Sequence, residues 1–265
     1  MPEWFVHAAW AVFVLLALTA AFFFTFTRGT LILRGLRPGP KSPGAHIYPI
    51  YEDMRLIRLI DWQPINSAIL LFQYHRLVAM ITEHLKRSDL RGGRVLITSC
   101  AFGNVIPKVA DVALAGGAAR LQISDLVHNE LLNAQRKLGG AGDALELRQE
   151  DAASMGLPDG SVAANVIFFL LHELPDPMKL QVLNEACRVL APGGTLYLAE
   201  FHRPERPLLR ALGWLYFKTF EPMALALWHT HDPLPYLQAM PGLHCERRTL
   251  FFGNYQVITA TRVAD

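Results

Sequence analysis

The first long stretch of this 265-residue chain contains no charged side chain. Asp, Glu, Lys and Arg are all absent from residues 4–27, WFVHAAWAVFVLLALTAAFFFTFT. A helix of that length would cross the roughly 30 Å of hydrocarbon in a bilayer, whereas a signal peptide would have a basic start and a shorter apolar run. We therefore expect residues 1–34 to form a single-pass transmembrane anchor.

Charged residues flank this run asymmetrically. Four basic residues follow it between positions 28 and 41, and Glu3 precedes it. Positive charge on one side places the rest of the chain in the cytoplasm, at the bacterial inner membrane or its mitochondrial equivalent, with a lipid membrane as partner. Residues 35–50 are rich in Pro and Gly and are predicted to be a linker, which leaves residues 51–265 as one domain.

Cysteine is scarce and the charges nearly balance. The three cysteines, Cys100, Cys187 and Cys245, have no metal-site spacing, and an odd, scattered set is typical of a reducing compartment without a disulfide framework. The net charge is +2, and no basic stripe is interleaved with aromatic residues. We therefore expect no nucleic-acid partner.

Short apolar runs alternate with amphipathic segments from Arg94 onward. Two helices are expected earlier, within residues 51–87. The predicted strands are RVLIT, RLQISDL, ALELRQED, SVAANVIFFLL and PGGTLYLAEF, followed by the close pair CERRTLFF and YQVITATRV. Alternating strands and helices that end in an antiparallel pair predict an α/β fold with a doubly wound, Rossmann-like sheet.

The loop after the first predicted strand lacks an acid and two glycines. A cofactor loop of the pattern D-x-G-x-G-x-G would fit this strand–loop–helix position. Here Ile97 stands at the acid position, and Ser99 and Ala101 stand at the first two glycine positions, so that only Gly103 remains. We take Ile97, Thr98, Ser99 and Gly103 as candidate cofactor-binding residues.

Acidic residues end the next two strands. A doubly wound sheet binds its ligand at the carboxyl ends of its strands. Asp125 ends the second strand, where a carboxylate can accept hydrogen bonds from both ribose hydroxyls, and Asp151 with Ala152 follows the third. His172 and Glu173 follow the fourth strand and are candidates for catalytic acid–base work.

The string LNEACRVLAPGGTLYLAEFHRP, residues 183–204, together with these strand-end acids, resembles the class I S-adenosylmethionine methyltransferases. Within that superfamily it resembles the ubiquinone/menaquinone C-methyltransferases. The resemblance implies S-adenosylmethionine as cofactor and a ubiquinone-type prenylated quinone as substrate. It also implies that Asp125 binds the ribose and that Asp151 and Ala152 face the adenine.

The altered loop TSCAFGNVIPKVA, residues 98–110, resembles that of the rhodoquinone biosynthesis family. That resemblance implies exchange of a ring methoxy group for an amino group, with S-adenosylmethionine as amino donor and manganese assisting. A missing carboxylate at Ile97 favours a neutral, nucleophilic amine. A quinone or lipid methyltransferase, a non-catalytic subunit of a quinone biosynthesis complex, and a decayed cofactor site are the alternatives.

Further candidate residues lie at the fifth strand and before the sheet. Glu200 and His202 end the fifth strand, and their oxygen and nitrogen ligands suit Mn²⁺. Tyr74 and His75 lie on the helix before the sheet and are expected to shape the quinone pocket. Residues 207–228 carry only three charges and either pack in the core or form an apolar lid for a prenylated substrate.

Overall fold

In the computed structural model, seven strands of the described chain pair into one sheet. The description covers residues 3–22, 51, 53–139, 142–220 and 222–264. The strands are β1 Arg94–Thr98, β2 Arg120–Asp125, β3 Leu145–Gln149, β4 Val162–Phe168, β5 Leu190–Phe201, β6 Leu243–Leu250 and β7 Tyr255–Arg262.

The strand order is β3-β2-β1-β4-β5-β7-β6. Strands β1 to β5 run parallel, and β7 pairs antiparallel with both β5 and β6. The prediction of a doubly wound sheet that ends in an antiparallel pair is confirmed. Chain order reverses between β1 and β4, and this switch point is where such sheets bind ligands.

Helices connect the strands and precede the sheet. They are α1 Glu3–Phe22, α2 Met54–Ile60, α3 Gln63–Ile69, α4 Tyr74–Leu85, α5 Val105–Ala115, α6 His128–Lys137, α7 Asp176–Arg188, α8 Pro207–Phe220 and α9 Pro233–Gln238. Three helices, not the two expected, lie between residues 51 and 87. The additional break falls at Leu71 and Phe72, where φ is +49° and +61° and the helical path cannot continue.

Helix α1 covers most of the uncharged run at the start of the chain. It has 20 residues and ends at Phe22, while residues 23–50, including the predicted linker, lie outside the described residues. Over the part of the chain that is described, no helix is long and apolar enough to cross a membrane. The predicted transmembrane span is therefore not found there.

The chain divides into two compact units, Met1–Pro43 and Gly44–Asp265. In the second unit, the core lies on the faces of the parallel strands. Strand β4 is almost wholly apolar and buried, as a central parallel strand must be. Helix α4 buries one side, including Leu77, Ile81 and Leu85, in the same core as β1.

Residues 207–228 form α8 followed by a 3₁₀ segment, Pro222–Trp228. Phe217, Ala224 and Trp228 make a small buried cluster with Phe201 against it, so this region does pack inward on one side. Its other side is apolar and exposed, with Leu208, Leu212 and Leu215 each more than half exposed. Of the two alternatives predicted for residues 207–228, core packing describes the inner face. The outer face has the exposed apolar surface that a lid would need.

The loop between β1 and α5 turns at two residues with positive φ, Ser99 at +72° and Gly103 at +80°. Gly103 needs its missing side chain for a second reason. A Cβ atom at this position would stand 2.5 Å from the hydroxyl oxygen of Tyr74. The remaining glycine of the loop is therefore the one that a neighbouring side chain crowds.

We expect Gly103→Ala to destabilise the chain by about 3 kcal/mol, because left-handed strain of about 1–2 kcal/mol adds to overpacking against Tyr74. Gly193→Ala is the matched control, since Gly193 has φ +75° and a methyl group added there would meet no atom within 4 Å. Urea unfolding of both variants would measure the difference. Equal losses would mean that the contact with Tyr74 does not constrain the loop.

Candidate functional site

A cleft lies at the carboxyl ends of β1 to β4. Five of the predicted site residues line it: Ser99, Asp125, Asp151, Ala152 and Glu173. These five residues lie at the strand ends where the switch-point rule predicts a ligand site.

Asp125 is the central acid of the cleft and holds the loop after β1. Its Oδ2 accepts hydrogen bonds from the Cys100 backbone N–H at 2.6 Å and the Ser99 hydroxyl at 3.3 Å, and its Oδ1 accepts one from the Val127 N–H at 2.7 Å. Burial raises the pKa of Asp125, and these donors oppose the rise. A carboxylate has about four acceptor positions. Asp125 can therefore still accept a hydrogen bond from a ligand.

The acids after β3 have different roles. Glu150 accepts hydrogen bonds from Ser124, Gln122 and the Gly156 N–H, and it ties β2 to the loop after β3. Asp151 accepts the Ala153 N–H at 2.8 Å, which turns the chain so that Ala152 lines the cleft. Asp151 and Ala152 thus present a small, acid-bordered wall beside Asp125.

The amino-terminal end of α5 is capped by side chains from residues 61–74. The Gly103 N–H donates to Asp61 at 2.8 Å, the Asn104 N–H donates to Gln63 at 3.1 Å, and the Val105 N–H donates to the Tyr74 hydroxyl at 2.8 Å. These donors, which would otherwise face a ligand or water, are satisfied by protein groups.

The predicted pocket residues on α4 therefore have other positions. Tyr74 is 1% exposed and donates its own hydroxyl proton to the Phe102 carbonyl at 3.0 Å, so it supports the cofactor loop from behind. His75 is exposed on the outer face of α4 and lies 3.5 Å from the Ser67 hydroxyl. Adjacent residues on a helix point about 100° apart, which separates the pair.

A buried ion pair completes the support of the loop. Lys137 Nζ lies 2.7 Å from Asp61 Oδ1, and the two side chains are 8% and 6% exposed. The same ammonium donates to the Ala101 and Gly103 carbonyls at 3.1 Å each. Lys137, at the end of α6, thus joins the loop to the segment between α2 and α3.

Two of the predicted loop residues do not reach the cleft. Ile97 is 1% exposed and belongs to the main core cluster. Thr98 is fully buried and donates to the Asn165 amide oxygen on β4 at 2.8 Å. Neither is among the described residues that line the cleft.

Glu173 follows β4, faces the cleft and forms a hydrogen bond with Tyr51. The Tyr51 hydroxyl donates to Glu173 Oε1 at 2.9 Å, and burial raises the pKa of both groups. Behind it, His172 Nδ1 lies 3.2 Å from Glu200 Oε1, and Nε2 lies 3.9 Å from Glu173 Oε1. The predicted pair therefore divides: Glu173 lines the cleft, while His172 stands behind it between two carboxylates.

The predicted manganese ligands do not converge. Glu200 is fully buried and faces His172, whereas His202 lies beyond the end of β5, with Nδ1 2.7 Å from the Gly253 carbonyl and Nε2 3.0 Å from the Arg247 guanidinium. Both nitrogens of His202 are occupied, and the nearby guanidinium would repel a cation. In the described ranges, no group of three His, Cys, Asp or Glu side chains could hold a metal ion. The manganese prediction is corrected accordingly.

Glu130 is a site residue that sequence analysis missed. It lies in the first turn of α6, lines the cleft and is 2% exposed. Burial and the nearby negative charge of Asp125 raise the pKa of its carboxyl to about 8. The available signal was its position on the apolar face of α6, between Val127 and Ala134, where a charged residue is rarely placed.

The sheet order, the antiparallel pair and the acid-lined cleft define the class I methyltransferase fold. Solved structures agree at the level of fold. A SAM-dependent methyltransferase from Aquifex aeolicus superposes with a TM-score of 0.54 at 19% identity, covering 80% of this chain and 99% of that one. An O-methyltransferase family protein from Burkholderia thailandensis gives 0.60 at 15% identity, covering 81% and 62%.

The chain belongs to the ubiE/COQ5 methyltransferase family, whose model matches residues 60–250. A demethylmenaquinone methyltransferase from Clavibacter sepedonicus is 32% identical over 140 residues, which cover 53% of this chain and 54% of that enzyme. The ubiquinone/menaquinone biosynthesis C-methyltransferase of Hahella chejuensis is 29% identical over 180 residues, covering 66% and 70%. The broader of the two sequence resemblances is therefore confirmed.

We expect Lys137→Met to destabilise the chain by about 3 kcal/mol, because it leaves the buried Asp61 carboxylate without its main partner. The matched control is Arg136→Met. Arg136 also lies 3.2 Å from Asp61 but is 49% exposed, so its loss should cost less than about 1 kcal/mol. Urea unfolding followed by circular dichroism would measure both. Similar losses for the two variants would contradict a dominant role for Lys137.

Proposed function

We propose that this chain transfers a methyl group from S-adenosylmethionine to a ring carbon of a prenylated quinone precursor. The observation that carries the proposal is the cleft at the switch point, with Asp125 at its centre, in a chain of the ubiE/COQ5 family. The names of the related enzymes from Hahella and Clavibacter supply the quinone substrate class.

The residues of the cleft fit this cofactor. Asp125 has an acceptor position left for the ribose hydroxyls, and Asp151 and Ala152 form a small wall suited to the adenine. Glu130 is a buried carboxylate with no hydrogen-bond donor among the described residues, which suits a ligand that carries positive charge. When bound, S-adenosylmethionine would supply an electrophilic methyl group on a sulfonium.

Glu173 is the candidate general base. A hydroquinone or phenol ring carbon becomes a better nucleophile when the ring hydroxyl loses its proton. Burial raises the pKa of Glu173, which makes its carboxylate a stronger base. Tyr51 holds the carboxylate by its hydrogen bond, and His172 with Glu200 fixes the turn behind it.

Aromatic side chains connect this end of the cleft to α8. The ring of His172 lies 4.9 Å from that of Phe201, which lies 4.8 Å from Phe217, which in turn lies 5.3 Å from Trp228. Phe217 and Trp228 are buried in this row, so the rings form an apolar layer between the region behind Glu173 and α8.

The outer face of α8 suits a membrane surface. Leu208, Leu212 and Leu215 form one exposed stripe, and Lys218 and Arg206 lie beside it. Apolar side chains flanked by cations are typical of helices that lie in the interface of an anionic bilayer. We propose that this face meets the membrane that contains the prenylated quinone, on its cytoplasmic side.

Exchange of a ring methoxy group for an amino group is the second candidate. The observation that favours it is Ile97, an apolar core residue at the position where the cofactor loop would carry an acid. Without that carboxylate, an amine near the loop is less strongly held as ammonium. In this reaction the donor nitrogen would add to the ring carbon and methanol would leave. Two electrons would then pass from the donor α-carbon to the quinone ring, and water would hydrolyse the resulting C=N bond to leave the amino group on the reduced ring.

The two transfers differ in product. The purified chain would be incubated with S-adenosylmethionine and either a demethylated quinol or ubiquinone, and the products analysed by mass spectrometry. We expect the quinol to gain a methyl group, whereas an amino-for-methoxy product from ubiquinone would support the second candidate. Asp125→Asn should lose most activity, and Asp111→Asn, an exposed acid on α5, should lose none. Unchanged quinones in both reactions would contradict an enzymatic role.

We expect Leu212→Glu with Leu215→Glu to reduce turnover of a long-chain quinone presented in anionic vesicles. Turnover of a short-chain analogue in solution should stay unchanged, because the cleft itself is not altered. Leu132→Glu is the matched control, since Leu132 is also an exposed leucine but lies on α6. If vesicle turnover were as high in the double variant as in the parent chain, α8 would not be the membrane-facing surface.

A further inference from the structure

Glu130 is the one acid of the cleft whose carboxylate has no hydrogen-bond partner among the described residues. Both of its oxygens are buried and unpaired. Asp125 and Glu150, which line the same cleft, each accept three hydrogen bonds. A buried carboxylate without donors is costly in a folded protein. Its position therefore requires an explanation other than structural support.

The charges around Glu130 are mostly negative. The titratable groups that face it are Asp125, Glu173, Asp61, Tyr51, Cys100 and Lys137. Lys137 is the only cation in this set, and its three donors are directed to Asp61 and two loop carbonyls. This side of the cleft thus has an excess of carboxylates and suits a cationic ligand group.

The position of Glu130 indicates which part of a ligand it would meet. Asp125 and Asp151 stand at the ends of β2 and β3, where the nucleoside part is proposed to bind. Glu130 also faces Cys100 in the loop after β1 and Glu173 after β4, on the side where transfer would take place. The amino-acid part of the cofactor would lie on that side.

We propose that Glu130 binds the α-ammonium group of S-adenosylmethionine and so supplies, from α6, the carboxylate that β1 lacks at Ile97. This inference rests on the proposed function, because it needs that cofactor in the cleft. It fits methyl transfer, because a carboxylate at the α-ammonium group would remove the advantage that Ile97 gives to amino transfer.

The raised pKa of Glu130 gives the contact a proton signature. With a pKa of about 8, the carboxyl is mostly protonated at pH 7 before a ligand binds. Pairing with an ammonium group favours the charged form and releases the proton. Calorimetry at pH 7 in two buffers of different ionisation enthalpy should therefore show proton release on binding, and Glu130→Gln should abolish most of it.

The decisive comparison uses Glu130→Gln and three ligands. S-Adenosylmethionine and S-adenosylhomocysteine both carry the α-ammonium group, whereas methylthioadenosine lacks the amino-acid part. We expect Glu130→Gln to weaken the first two by about tenfold or more, as for loss of a charge-assisted hydrogen bond, and to leave methylthioadenosine unchanged. Equal affinities of parent and variant for all three would overturn the inference, and so would a loss shared by methylthioadenosine or confined to S-adenosylmethionine.

Stability measurements show whether the variant is folded. Because the pKa of Glu130 is raised from 4.5 to about 8, the folded state binds the proton more tightly than the unfolded state. This contribution is favourable at low pH and is lost as pH rises between those two values. Glu130→Gln should therefore match the parent chain near pH 5 and exceed it near pH 9, and Glu130→Met serves as a second variant for the binding test.

The outcomes separate this inference from the proposed function. If the parent chain bound neither S-adenosylmethionine nor S-adenosylhomocysteine, the proposed function would fail and this inference with it. If the parent chain bound both and Glu130→Gln bound them equally well, only the role of Glu130 would fail.

Discussion

The ion pair between Lys137 and Asp61 is the interaction on which the cleft depends. It joins the end of α6, the segment between α2 and α3, and the loop after β1, and it is buried at both partners. Breaking the pair would leave an unpaired charge inside the protein, which is strongly destabilising. The pair therefore favours states in which all three segments remain packed together. The loop therefore takes its shape from side chains that approach it from behind, and Tyr74 adds a second such support.

Because of this arrangement, the polar groups that face the cleft come mostly from elements other than the loop after β1. In a glycine-rich loop, backbone N–H groups face the ligand; here Asp61, Gln63 and Tyr74 occupy three of them. The groups that face the cleft are side chains on β2, on α6 and after β4. Recognition in this chain then depends more on carboxylate charge than on the backbone, and that favours a ligand with positive charge.

Sequence analysis predicted the parts that follow from periodicity and strand-end position. The parallel sheet was predicted from this pattern, and Asp125, Asp151 and Glu173 line one cleft because strand ends meet at one edge. Tyr74, His75 and His202 were misplaced because their side-chain directions depend on how α4 packs and where β5 ends, which spacing does not determine. Glu130 was missed because a single acid on a helix is usually solvated, and only tertiary packing shows it to be buried.

The crowding of Gly103 by Tyr74 bears on how such chains are recognised and how they diverge. When a loop is shaped by outside contacts, most of its glycines become free to vary, and a search for the glycine pattern alone would pass over this chain. The two positions that touch, 74 and 103, should instead change together during evolution. A tyrosine–glycine pair with a lysine–acid pair beneath the loop would then describe this loop better than its glycine pattern does.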